Sequence, residues 1–104
     1  MDKPLTISDF RPHLSSKFYV HCDKDRENLE ALETKLTEIN ELKYDRRGDL
    51  GKAFTLTFLG ELEPILPQKI YQFEHQTMGK LNMFVVPIGP DREGKGMCYE
   101  AVFS

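Results

Sequence analysis

The stretch Pro67–Phe103, PQKIYQFEHQTMGKLNMFVVPIGPDREGKGMCYEAVF, decides the fold. It reads as three consecutive β-strands joined by two polar connections. In the first strand, residues 69–75, Tyr71, Phe73 and His75 alternate with Ile70, Gln72 and Glu74. Successive side chains of a strand point to opposite faces, so one face is aromatic and the other mixed. Gly79 closes the connection that follows, where a short hairpin loop needs a positive φ. The second strand, 80–87, sets Leu81, Met83 and Val85 against Asn82, Phe84 and Val86. It is apolar on both faces towards its end, which predicts burial on two sides. Pro87 has no N–H to donate and is expected to stop the ladder. Gly89–Gly96 is a loop by composition. In the last strand, 98–103, Tyr99, Ala101 and Phe103 oppose Cys98, Glu100 and Val102.

Upstream, Ala53–Leu59 alternates Phe54, Leu56 and Phe58 with Thr55 and Thr57, a half-buried strand. Gly60–Pro67 carries Pro64 and Pro67 and is extended, with Leu62, Ile65 and Leu66 expected on the core. Lys17–Cys22 alternates Phe18, Val20 and Cys22 with Tyr19 and His21, the first strand. Before it, residues 8–15 allow a short helix capped by Ser8 or Thr6, because Pro12 is tolerated only in a first turn. Ile7, Phe10 and Leu14 would then plug an open end of the sheet. Asp23–Asn28 and Asp45–Gly51 read as polar turns.

Residues 29–42 are ambiguous. Leu29, Leu32, Leu36 and Ile39 fall three, four and three apart, and that spacing alone favours a helix. As a strand the pattern is poorer, with Thr34, Glu38 and Asn40 on the face of Leu32 and Leu36.

The totals bound the function. The 104 residues suffice for one domain, taken as 1–104, with its own core. A formal net charge of −3 gives no basic footprint for nucleic acid and no attraction to anionic membranes. No apolar run approaches the roughly 20 residues that span a bilayer. The acidic, apolar-poor start MDKPLTISDF is not expected to be a signal peptide. Cys22 and Cys98 read as cytosolic thiols, although neighbouring strands would permit a disulfide.

No constellation of catalytic residues is legible, and none is assigned. Glu74 and His75 are adjacent in a strand, so their side chains diverge and a base–carboxylate dyad between them is disfavoured. His75 is better read as a hairpin residue bonding turn backbone. His21 and Cys22 also diverge, and with Cys98 they lack the clustered spacing of a zinc site. Glu100 is placed on the outer face; a buried carboxylate there would need Arg46, Arg47 or Arg92. The Gly89–Gly96 loop lacks the order of a phosphate cradle. Arg46 and Arg47, with Lys43 and Lys52, are diluted by Asp45 and Asp49 into loop charge. No cofactor and no metal is implied.

Phe54–Gly60, then Leu66-Pro67-Gln68 with Tyr71 and His75, then Gly79, Leu81, Phe84, Val86-Pro87 and Gly89, then Tyr99–Phe103 form a pattern. Phe10, Leu14 and Phe18 extend it. The chain resembles a family of small bacterial domains of unknown function. The signature positions are Phe54, Phe58, Tyr71, His75, Gly79, Pro87, Gly89, Tyr99, Glu100 and Phe103, structural in character. The resemblance implies a strand where the spacing favours a helix, so 31–42 is taken as strand, with Thr34 where an aliphatic residue is usual. It also implies an association with phage-tail-like or fibre proteins.

The expected fold is all-β: about six antiparallel strands, as a small barrel or strongly curled sheet, with a short N-terminal helix over one end. The expected function is a non-enzymatic protein-interaction or assembly module, cytoplasmic, with an unknown protein partner, no nucleic acid and no membrane, as a monomer or weak homodimer. A small apolar-ligand carrier is the alternative. A small enzyme is the third reading, and it requires a cleft joining His75 or His21 to a carboxylate.

Overall fold

Six strands close into an antiparallel barrel in the order β1-β2-β3-β6-β5-β4. The computed structural model describes residues 5–21, 31–42 and 53–103. The strands are β1 (Lys17–His21), β2 (Leu32–Glu41), β3 (Phe54–Gly60), β4 (Lys69–His75), β5 (Gly79–Pro90) and β6 (Met97–Phe103). β1 and β4 close the cylinder through Tyr19–Glu74, Val20–Phe73 and His21–Gln72. The turns expected at 23–28 and 45–51, and Cys22, lie outside the described residues.

The two-residue rhythm is realised as inside against outside. Phe18, Val20, Leu36, Phe54, Leu56, Phe58, Tyr71, Phe73, Met83, Val85, Tyr99 and Ala101 are buried in one core. Their aromatic rings interlock: Phe18 meets Phe58 edge-on at 5.3 Å between centroids, and Phe58 meets Phe73 at 4.9 Å. Leu81 and Phe103 are partly buried against the same core.

β2 is a strand, and its helix-like spacing has a structural cause. Leu36 pairs with Phe58, but Glu38 pairs with Thr57, so Thr37 is an extra residue in the ladder. Such a bulge shifts the alternation by one. Leu32, Thr34 and Leu36 precede it and Ile39 follows it, all towards the core. Thr34 is buried and donates its hydroxyl to the Phe18 carbonyl at 2.8 Å.

Four expectations are corrected. β3 is not half-buried, because Thr55 and Thr57, on the face opposite Phe54, Leu56 and Phe58, are buried as well. β5 does not end at Pro87 but continues to Pro90, around a second bulge that leaves Ile88 unpaired between Pro87 and Gly89. Past Val85, the partner of Lys69, only β6 flanks β5. An edge tolerates proline because its missing donor breaks no ladder. β5 is also not buried on both faces, because Phe84 and Ile88 are exposed. Finally, of the residues expected on the core, Leu66 is buried, whereas Leu14, Leu62 and Ile65 are exposed.

The N-terminal cap consists of helix α1 (Ile7–Phe10) and a 3₁₀ turn (Arg11–His13). Thr6 starts it: its N–H donates to Asp9 Oδ2 at 2.8 Å and its hydroxyl to the same oxygen at 3.2 Å. Phe10 enters the barrel end with no exposure, touching Phe54 and Phe103, which stack at 4.7 Å. Pro12 sits inside the 3₁₀ turn, where its missing N–H costs little.

Candidate functional site

Three surfaces could carry function: the barrel interior, the mouth under the cap and the outer wall. The interior is occupied by side chains, as expected for a barrel of this size. Between the β2 and β3 ends and the connection at Pro64 and Leu66 lies a hollow of about 10 Å³, the space of one water. The connection there is tied down twice. Tyr99 Oη accepts the Leu66 N–H at 2.9 Å, and Tyr71 Oη donates to the Pro67 carbonyl at 2.6 Å.

At the mouth, His75 is the last residue of β4 and points inward, where it is buried. Its Nδ1 accepts the N–H groups of Thr77 (3.0 Å) and Met78 (3.1 Å), the turn-bonding role read from the sequence. Gly79, its ladder partner, has φ of +80°, as the hairpin requires. The Phe18 ring packs on one side of the imidazole at 4.5 Å, and His13 of the cap meets it edge-on at 4.4 Å. Burial lowers the His75 pKa, and the neighbouring His13 lowers it further. An open hollow of about 470 Å³ adjoins this pair, lined by Leu5, Thr6, Asp9, His13, Thr77, Met78 and Leu81. The Asp9 carboxylate in it is occupied by Thr6.

On the outer wall, His21 Nε2 lies 2.8 Å from Glu74 Oε1, with both side chains close to half exposed. The partner of Glu74 is thus His21 on the neighbouring strand, not His75, its neighbour in the chain. No local signal reveals that partner, because β1 meets β4 only when the barrel closes. The pair sits on a convex strand surface, open to water.

The other candidates are brought to no common site. Glu100 lies on the outer wall between Val86 and Thr57, half-buried. Cys98 is a free thiol whose pKa is pushed up by burial and by Asp91 and Glu38. Asp91, at the start of the β5–β6 loop, accepts the N–H groups of Lys95 (2.7 Å) and Gly96 (3.2 Å), so this loop is an organised turn. Arg92 is exposed on it, while Arg46 and Arg47 lie outside the described residues. Among the described residues no group of three or more His, Cys, Asp or Glu is placed to hold a metal, and no helix is long and apolar enough to cross a membrane. Of the signature positions, Phe54, Phe58, Tyr71, His75 and Tyr99 are buried, and Pro87 and Gly89 flank the β5 bulge.

The outer wall of β4, β5 and β6 carries polar pairs, Gln72 with Asn82 and Glu74 with Lys80, beside a short apolar row. Ile70 pairs with Phe84. Val85 pairs with Ala101, so the next outward pair along is Phe84 beside Val102. Ile70, Phe84 and Val102 are 64%, 48% and 54% exposed, a row of large apolar side chains across three strands. Val86, two residues further along β5, is half-buried and pairs with Glu100.

These features define a class: a small closed antiparallel barrel with a filled interior, a helical cap and a short apolar row on its outer wall. Within that class the chain belongs to the family described as a domain of unknown function, DUF6916, whose model matches residues 5–103, cap and barrel together. No curated protein and no solved structure matches the chain.

Proposed function

We propose that this domain is a non-enzymatic protein-interaction module that docks a partner protein on the outer wall of β4, β5 and β6. The observation that carries the reading is the row Ile70–Phe84–Val102, aligned across three strands and exposed to water. Scattered surface apolar residues are ordinary, but a contiguous row on a monomer marks a contact surface. The filled interior weighs against an apolar-ligand carrier. The enzyme reading asked for a cleft joining His21 or His75 to a carboxylate. His21 has its carboxylate on a convex wall, and both turn bonds of His75 go to backbone. The setting we favour is a bacterial cytoplasm, with the chain a monomer or weak homodimer joining a larger assembly; the phage-tail-like association belongs to this proposal. Phe84→Ser with Val102→Ser tests it by proximity labelling in the native cell. The reading predicts a folded variant that loses its labelled neighbours. An unchanged set of neighbours would refute it.

A further inference from the structure

We propose that His13 and His75 form a proton-sensitive clasp: acidification releases the N-terminal cap and the β4–β5 turn together and uncovers the barrel mouth. The geometry of His75 is the reason. Its Nδ1 accepts two turn N–H groups, so its single proton resides on Nε2. A second proton must enter at Nδ1, which then cannot accept either bond. Protonation therefore unties the turn at Thr77 and Met78. The same proton places a cation against His13, whose ring is 4.4 Å away. His13 disfavours charge on the His75 ring, and the surroundings supply little to offset this. From β1 the Phe18 ring faces His75, an apolar wall. From the turn come only the two backbone donors. From the cap come His13 and Asp9, and Asp9 shares the hollow with His13 while its Oδ2 serves Thr6. Among the described residues no carboxylate hydrogen-bonds either imidazole of the pair.

Beyond this contact Leu5 and Ile7 of the cap pack against the core. Phe10 fills its socket, Arg11 reaches Glu41 at 3.4 Å on the exposed surface, and two backbone bonds join Ser15 and Ser16 to Leu36. Terminal segments open at lower free energy than the strands of a core. The lowered His75 pKa agrees with this arrangement, since the folded state resists the second proton.

Hydrogen exchange by NMR on the full chain tests the clasp, comparing about pH 7.5 with about pH 5 after correction for intrinsic rates. The clasp predicts that the amides of Ser15, Thr77 and Met78 lose protection together, by roughly tenfold relative to Leu56 in β3. His75→Asn, whose side-chain carbonyl can still accept from the turn, should abolish the loss in both segments. His13→Gln should uncouple them, with the turn still opening and the cap staying closed. Equal protection at both pH values would overturn the proposal. So would a cap opening that persists unchanged in His13→Gln, a readout that survives if the His75 variant fails to fold.

Discussion

Tyr99 Oη accepts the backbone N–H of Leu66 at 2.9 Å, in the buried seam between β6 and the connection that precedes β4. The phenol is a structural staple: a core ring whose polar tip satisfies an otherwise buried donor. Tyr99→Phe keeps the ring and orphans the Leu66 N–H. The cost of leaving a buried donor unpaired is about 1–3 kcal/mol. Urea unfolding should show that loss as a lower midpoint with an unchanged slope.

Gly96 tests the barrel's tightness at the β5–β6 turn. A Cβ there would meet the Gly60 carbonyl oxygen and, at 2.7 Å, the Leu59 side chain. The backbone oxygen cannot yield cheaply, so Gly96→Ala should destabilise by about 1–3 kcal/mol, the usual range for overpacking. Gly94 is the control. Its φ of +69° strains any other residue, but a Cβ there meets nothing within 4 Å. Gly94→Ala should cost about 1 kcal/mol, by αL strain alone. Thermal melts of both variants separate clash from strain.

The pH dependence of stability follows from His75. Its folded pKa lies below the ordinary 6.5, because burial and then His13 disfavour the charged ring. Below about pH 6.5 the unfolded chain therefore binds the proton first. The stabilisation from neutral His75 is complete above that value and is lost as pH falls through it towards the folded pKa. Stability should decline on acidification through this window, and His75→Asn should flatten that decline in a series of denaturant titrations.

Much of the barrel was legible because its inward residues alternate strictly from Phe54 to Leu59, from Tyr71 to His75 and from Tyr99 to Phe103. Legibility failed where a bulge broke the count. Thr37 inserts one residue into β2, which spaces Leu32, Leu36 and Ile39 like a helix face. Ile88 does the same in β5, and Pro87 disguised the strand as finished. The site was less legible than the fold. His75 as a turn acceptor could be read from its place before Gly79. The contacts His21–Glu74 and His13–His75 could not, since closure of the barrel and docking of the cap create them. The apolar outer row was visible as the alternate residues Ile70, Phe84 and Val102, but Phe84 and Val86 read as buried. Only the topology shows that, among the described residues, no second layer covers Phe84 on β5.

The most direct test of the account places a photo-crosslinking phenylalanine analogue at position 84, at position 70, and at the control position 38 on the β2 wall. The account predicts adducts of a partner protein from positions 84 and 70 in the native cell, and none from position 38. Adducts from 38 with none from 84 and 70 would contradict the assignment of the β4-β5-β6 wall as the working surface.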